Sequence, residues 1–204
     1  QRVQCFMVNE KTNTGLKEGR LQRKMSPSGI YVATFRQIIL RHGLTMAIIS
    51  LLCLFVTGAI DIVILGFSSL IAGTFFYLVA MFVILVFFIA FLVFRGQKIG
   101  PTQYAWLGYL LIISFLEELS FRLILPTLLL GTVGMIPAVL LSNLVFASFH
   151  FFTLRWKFFN CLGAFLGGIG LSRLLVNTED IALVILVHWF FTFLNTPTAP
   201  KDAL

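Results

Sequence analysis

Two adjacent glutamates and an arginine lie in the middle of a long apolar run. The segment reads Leu-Glu-Glu-Leu-Ser-Phe-Arg, and its charged members are Glu117, Glu118 and Arg122. Glu118 and Arg122 are four residues apart, so on a helix they share one face and can pair, with Arg122 orienting Glu118. Glu117 projects about 100° around the helix from Glu118 and is left out of that pair. A carboxylate held in an apolar environment is a candidate general base.

Two of the three histidines also fall inside apolar runs. His150 closes a Phe-x-x-x-His segment, and His188 is followed by Thr192 and Asn195 at one and two helical turns. An imidazole can exchange a proton near neutral pH. Threonine and asparagine side chains can donate hydrogen bonds to a developing oxyanion. The sequence therefore offers an acid–base pair and candidate oxyanion donors in its C-terminal half.

These groups permit two hydrolytic mechanisms. In the first, Glu117 and His150 activate a water that attacks a peptide carbonyl, while His188 stabilises the oxyanion with Thr192 or Asn195. In the second, Glu117, His150 and His188 hold a divalent metal such as zinc, which activates the water. No His-Glu-x-x-His segment is present, so the common zinc-protease helix is missing. The residues alone leave this choice open, and no particular cofactor is predicted.

The composition indicates where such a site must lie. Of 204 residues, 59% are hydrophobic and only 11% are charged, whereas a soluble domain carries about 25% charged residues. The net charge of +7 does not indicate nucleic-acid binding, because eight of the fifteen basic residues fall within residues 1–41. The elements that position the site must therefore be helices in a lipid bilayer.

Six apolar runs have about the length of a membrane span, for which some 20 residues are needed. We predict an all-α, polytopic transmembrane helix bundle of about six spans, preceded by a basic amphipathic helix on the membrane surface. His42 is expected to lie at that interface. Gly163 and Gly167, four residues apart, predict close helix packing. The six runs are 44–67, 69–94, 104–125, 136–152, 158–175 and 181–194.

The runs divide the chain into four parts. Residues 1–43 are predicted to form a basic cytoplasmic arm and the interfacial helix, and residues 44–102 two N-terminal spans. Residues 103–195 would form the catalytic helix bundle, and residues 196–204 a short C-terminal tail. Six spans place the basic pairs at 95/98 and 155/157 and Lys201 on the side of the arm, so the positive-inside rule predicts a cytoplasmic N-terminus.

The motifs resemble those of the CPBP intramembrane proteases, which comprise CAAX-prenyl endopeptidases and bacteriocin-processing or immunity-type relatives. The resemblance covers about residues 103–195 and rests on Glu117-Glu118-x-x-x-Arg122, Phe146-x-x-x-His150 and His188 in a final helix. It implies that Glu117 and His150 form the water-activating pair, and that His188 shapes the oxyanion site. In the family an Asn or Asp usually follows four residues after the last histidine, whereas this sequence has Thr192 there and Asn195 three residues further on.

The sequence thus predicts an intramembrane endopeptidase that cleaves a membrane-associated substrate, either a prenylated CAAX protein or a leader peptide. Its expected partners are the lipid bilayer and a peptide or lipidated protein, and its expected location is a bacterial inner membrane. The departure at Thr192 favours a second class, a non-catalytic scaffold or immunity protein of the same fold. A third class is a proton-coupled transporter using the Glu/His groups. Asp61, alone in the first apolar run, has no predicted role.

Overall fold

Helices are the only regular elements in the part of the chain that the computed structural model describes, which is Val32 and residues 34–200. Most of the predicted basic arm and residues 201–204 lie outside the described residues. We number the helices α1 to α9 and treat a π-helical segment, Leu119–Ile124, as the link between α5 and α6. The helices are Phe35–Leu54, Ala59–Gly66, Ser68–Ala72, Thr74–Phe94, Pro101–Glu118, Leu125–Val133, Met135–Thr153, Phe158–Thr178 and Ile181–Asn195.

Four of the described helices, α1, α4, α7 and α8, are long and apolar enough to cross a membrane, and α9 is a shorter apolar helix of 15 residues. Large apolar side chains cover the outside of the bundle; Phe75, Phe94 and Phe159 are at least 80% exposed. Exposed apolar surface on this scale is a lipid-facing surface rather than a water-facing one. The predicted helical membrane bundle is confirmed, and the chain is an integral membrane protein.

The first span begins earlier than the apolar pattern indicates. Thr34 and Gln37 form a reciprocal capping box that starts α1. The helix then runs through a π-helical turn at Ile39–Gly43 to Leu54, so the expected interfacial helix and the beginning of the first span are one helix. The apolar run itself is interrupted at residues 55–58, where Gly58 has a φ of 84°.

The short helix α2 follows this interruption and accounts for Asp61. This carboxylate lies in the first turn of α2 and is exposed. A negative charge there interacts favourably with the unpaired N–H groups of the helix N-terminus. At this position, away from the buried charges, Asp61 can stabilise the start of α2.

The third apolar run continues as a helix beyond Pro126, where a helix end was expected. Proline lacks a backbone N–H and so removes one helical hydrogen bond. The π-helical segment just before it changes the pairing, and the Leu125 N–H bonds to Ser120 C=O five residues back. The chain is helical from residue 101 to residue 133. This helix ends at Gly134, which has a φ of 78°.

The last helix is fixed at the centre of the bundle by aromatic contacts. Phe193 of α9 stacks on Phe88 of α4 with ring centroids 3.8 Å apart. The Trp189 Nε1–H donates to Leu107 C=O of α5 at 3.2 Å. These contacts join α9 to α4 and α5, and they set the position of His188 one residue before Trp189.

The glycines of α8 pack differently from the prediction. Gly163 and Gly167 are exposed, and a Cβ at either position would meet nothing within 4 Å. Gly168 is the closely packed residue. A Cβ there would lie 2.1 Å from Asn143 Oδ1 and 2.6 Å from Arg122 Nη2. The prediction that Gly163 and Gly167 pack closely against another helix was wrong, since the packed glycine is Gly168, the residue after Gly167. Residue spacing alone does not say which face of a helix meets its neighbour.

Candidate active site

Three imidazole nitrogens converge on the Glu117 carboxylate at the C-terminal end of α5. His42 Nε2 lies 2.8 Å and His150 Nε2 3.5 Å from Glu117 Oε1, and His188 Nε2 lies 3.6 Å from Oε2. Glu117 is only 2% exposed. The four side chains come from α1, α5, α7 and α9, so the centre exists only when these helices pack together.

Each imidazole is also held through its other nitrogen. His42 Nδ1 lies 2.8 Å from Thr153 Oγ1, and His188 Nδ1 lies 2.5 Å from Glu118 Oε1. The Nδ1–H of His150 donates at 3.0 Å to the carbonyl of Phe146, an atom that can only accept. These three outer bonds turn the Nε2 atoms towards Glu117.

The two adjacent glutamates occupy different surroundings. Arg122 Nε lies 3.4 Å from Glu118 Oε2, and both side chains are completely buried. The guanidinium carbon of Arg122 also lies 3.8 Å from the centre of the Phe146 ring, a cation–π contact. The expected i, i+4 pair is therefore formed, and Glu118 connects Arg122 with His188 while Glu117 faces the histidines.

Aromatic rings surround His150. The ring centroids of Phe146, Trp156 and His42 lie 4.5, 4.7 and 4.9 Å from that of His150. Rings on several sides restrict the rotamer of an imidazole and exclude water from its faces. This packing fixes the edge of His150 that points to Glu117.

The π-helical segment that follows the two glutamates is held by serine side chains from other helices. Ser142 Oγ–H of α7 donates at 2.6 Å to Phe121 C=O, and Ser50 Oγ–H of α1 donates at 3.0 Å to Leu116 C=O. A π turn leaves carbonyls without their usual helical partners, and such turns are common at functional sites. Ser142 satisfies such a carbonyl inside an apolar bundle, where an unpaired carbonyl costs free energy. Leu116, in the last turn of α5, accepts from Ser50 in addition to the Leu119 N–H.

The two predicted oxyanion residues lie further along α9. Thr192 is half-buried one turn after His188, and no hydrogen bond joins it to Glu117 or to the three histidines. Asn195 is exposed at the end of α9, about 10 Å along the helix axis from His188. Their participation in oxyanion binding stays a prediction.

A metal ion would find suitable ligands here, but in a different set from the predicted one. One ligand atom each of His42, Glu117 and His150 lie within 4.8 Å of one another, whereas the sequence favoured His188 as the third ligand. Imidazole nitrogen and carboxylate oxygen suit zinc-class cations. Metal-bound histidines commonly donate their other ring N–H to a nearby acceptor, as His150 does here to Phe146 C=O.

His42 is the residue that the sequence analysis missed. It was expected at the membrane interface, but it is 3% exposed and lies inside the centre. It is separated from Glu117 by 75 positions, and no motif links the two. The available signal was the capping box of Thr34 and Gln37, which predicts that the first helix starts before His42. His42 then lies within the first span, inside the bundle.

Residues 99–194 match the model of the family described as type II CAAX prenyl endopeptidase Rce1-like. The match begins just before α5 and ends within α9, so it includes Glu117, Glu118, Arg122, His150 and His188 and leaves out His42. No match was found among curated proteins or among solved structures. The resemblance carried by the glutamate–arginine and phenylalanine–histidine motifs is confirmed, because this part of the chain matches the type II CAAX prenyl endopeptidase Rce1-like family model.

Proposed function

We propose that this protein is an intramembrane endopeptidase in which Glu117 and His150 activate a water molecule against a peptide bond. The substrate is a membrane-associated chain, either a prenylated CAAX protein or a leader peptide. The observation that supports the proposal is the convergence of three imidazole Nε2 atoms on one buried carboxylate. A group of proton-exchanging side chains of this kind is expensive to bury in a membrane and is typical of a functional centre.

In the proposed reaction Glu117 transfers the proton and His188 stabilises the negative charge. Glu117, with His150 beside it, takes a proton from the water while the water oxygen forms a bond to the scissile carbonyl carbon. The negative charge on the carbonyl oxygen is stabilised by His188, with Thr192 or Asn195 as further donors. Collapse of the tetrahedral intermediate breaks the C–N bond, and the proton held by Glu117 passes to the leaving amine.

Glu118 and Arg122 act on His188 rather than on the substrate. Glu118 accepts the Nδ1–H of His188 at 2.5 Å, which fixes the ring and leaves Nε2 facing the centre. Arg122 supplies the positive charge that a buried carboxylate needs. In this arrangement Glu117 acts on the water, and Glu118 orients the imidazole of His188.

A metal-dependent form of the same hydrolysis is the second candidate, favoured by the close grouping of His42, Glu117 and His150. In that case a zinc-class ion would supply Lewis-acid activation of the water. The ion would be held by these three side chains, and His188 would remain available to the oxyanion.

The proposed location is a bacterial inner membrane with the N-terminus in the cytoplasm. Basic residues support this orientation, since Arg95 and Lys98 lie between α4 and α5, and Arg155 and Lys157 between α7 and α8. A non-catalytic scaffold or immunity protein is the alternative that the departure at Thr192 favours, and the same experiment separates the two.

The test is peptide hydrolysis by the purified protein in proteoliposomes. A prenylated CAAX peptide, its unprenylated form and a leader peptide are compared with wild type, Glu117→Gln and His150→Gln. Cleavage of one peptide by wild type, with a loss of about 10²- to 10⁴-fold in either variant, supports the enzyme. Ser148→Ala is the control, because the Ser148 hydroxyl donates to Leu144 C=O within its own helix, α7.

Equal turnover by wild type and both variants would exclude the endopeptidase function and favour the non-catalytic scaffold or immunity protein. Loss of turnover with a chelator, restored by added zinc, would favour the metal-dependent form. Turnover unaffected by the chelator, in protein without bound metal, would favour the glutamate form.

A further inference from the structure

His42 lies outside the family-matched segment and is nevertheless the closest polar neighbour of Glu117 among the described residues. Its Nε2 is 2.8 Å from Glu117 Oε1, against 3.5 Å for His150 and 3.6 Å for His188. Only the first distance is that of an ordinary hydrogen bond. The strongest constraint on the Glu117 carboxylate therefore comes from α1.

The other edge of the His42 ring is held as firmly. Thr153 Oγ1 lies 2.8 Å from His42 Nδ1 and 2.7 Å from Phe149 C=O. A threonine hydroxyl has one hydrogen, and a carbonyl can only accept. The hydroxyl hydrogen is therefore assigned to Phe149, and Thr153 Oγ1 accepts the Nδ1–H of His42.

This assignment determines what lies between His42 and Glu117. With Nδ1–H directed at Thr153, a neutral ring presents a lone pair at Nε2, and an ionised carboxylate also presents only lone pairs. A separation of 2.8 Å between two such atoms requires a hydrogen between them. The contact is therefore a hydrogen bond, which fixes Oε1 and leaves Oε2 to face His188.

We propose that His42 is a positioning residue for Glu117. It forms a bridge from Thr153 of α7 through its own ring to Glu117 Oε1 of α5, and this bridge sets the orientation of the carboxylate. The inference rests on the proposed peptidase function, and it makes α1 part of the catalytic unit although the family match does not reach it.

The activity arm of the test uses matched variants. A misplacement of 1 Å at a reacting group can cost about 10²-fold in rate, so His42→Leu is expected to lower kcat about 100-fold with little change in KM. His42→Gln keeps an N–H donor and should recover about tenfold of that loss. Thr153→Val removes the outer support and should lower kcat about 3- to 10-fold.

Thr127→Val is the control for Thr153→Val. The Thr127 hydroxyl donates to Leu123 C=O, four residues back, as the Thr153 hydroxyl does to Phe149 C=O. Thr127 has no histidine partner, and its variant is expected to keep kcat. Size-exclusion chromatography and thermal unfolding in detergent show whether each variant is folded. If His42→Leu does not fold, the kcat values of His42→Gln and Thr153→Val are compared with that of wild type instead.

NMR spectroscopy tests the contact between His42 and Glu117 without any substrate. The chain has three histidines, so ¹⁵N-histidine labelling gives three rings, each assigned by its own substitution. We expect a hydrogen on His42 Nδ1, a shift of this signal in Thr153→Val, and a shift of the Nε2 signal in Glu117→Gln. A wild type that cleaves none of the peptides would overturn the peptidase function, and these spectra would still decide whether His42 holds Glu117.

Three results would overturn the inference itself. The first is a folded His42→Leu variant with kcat within about twofold of an active wild type. The second is a His42 Nδ1 without hydrogen. The third is one equivalent of metal in the purified protein with His42 Nε2 bound to it, because His42 would then be a ligand instead of a hydrogen-bond partner.

Discussion

Adjacent glutamates in one helix have different partners because neighbouring side chains project in directions about 100° apart. Glu117 meets the Nε2 atoms of the histidines, while Glu118 meets Arg122 and the Nδ1 of His188. Both carboxylates are buried, yet among the described residues only Glu118 is paired with a permanent cation. The two glutamates therefore have different roles, with Glu117 available for the reaction and Glu118 supporting His188.

The first prediction compares the two glutamates. Glu117→Gln is expected to lower kcat/KM by about 10²- to 10⁴-fold, since the amide cannot accept the water proton. Glu118→Gln should cost only about tenfold, because its amide oxygen can still accept the Nδ1–H of His188. Steady-state cleavage of the best peptide measures both. Equal losses in the two variants would contradict the separation of tasks.

The second prediction concerns Arg122. Removing one partner of a buried ion pair leaves an uncompensated charge, which costs about 3–5 kcal/mol. Arg122→Met should therefore lower the thermal stability of the detergent-solubilised protein strongly, and a second change, Glu118→Gln, should restore part of it. Arg95→Met is the control, because Arg95 is exposed and contacts the Phe91 ring. Arg122→Met with the stability of this control would refute the interpretation.

At the scale of elements, the site depends on close helix contacts that apolar composition does not reveal. The π-helical segment after Glu118 contacts α1 through the hydroxyls of Ser50 and Ser120, and α7 through the hydroxyl of Ser142. On the other side, α8 approaches Arg122 and Asn143 at Gly168. These contacts fix the long helix at the point where both glutamates leave it.

The third prediction tests the approach of α8. Gly168→Ala puts a methyl group at 2.1 Å from Asn143 Oδ1 and 2.6 Å from Arg122 Nη2, so the helices must separate or Arg122 must move. We expect a destabilisation of about 1–3 kcal/mol together with reduced cleavage. Gly167→Ala is the neighbouring control, since a Cβ there meets nothing within 4 Å. Similar behaviour of the two variants would show that α8 does not pack as described.

The fourth prediction tests the serine that supports the π-helical segment. Ser142→Ala removes the donor to Phe121 C=O, and Pro126, five residues further on, has no N–H to replace it. An unsatisfied buried carbonyl costs about 1–3 kcal/mol. Ser148→Ala on the same helix, where the hydroxyl bonds to Leu144 C=O, should change stability by less than about 0.5 kcal/mol. Thermal unfolding measures both, and equal values would contradict this role of Ser142.

At the scale of the molecule, the sequence predicted the parts whose physical signal is local. Apolar runs predicted a helical membrane bundle, and the Glu118–Arg122 spacing predicted their pair, because each depends on residues within a few turns. His42 was missed because its contact with Glu117 depends on how α1 meets α5. Gly168 was missed for the same kind of reason, since spacing reveals a small residue but not the neighbour that needs it.

The orientation of the whole bundle is the last prediction, and it determines from which side a substrate reaches the site. Counting α1, α4, the 101–133 helix, α7, α8 and α9 as crossings places the 95–100 and 154–157 connections on one face and Glu179 on the other. His150 is three residues from the end of α7, so the centre lies near the face with the basic connections. The positive-inside rule makes that face cytoplasmic.

Single cysteines in a chain lacking Cys5, Cys53 and Cys161 test this orientation. Gln97→Cys and Lys157→Cys are expected to react with a membrane-impermeant maleimide only from the cytoplasmic side, and Glu179→Cys only from the opposite side. Gln97 and Glu179 are exposed positions that suit the label. Labelling of Gln97→Cys and Glu179→Cys from the same side would contradict the six crossings. Labelling of the basic connections from outside would reverse the orientation, so that the scissile bond would have to reach the centre from the outer face.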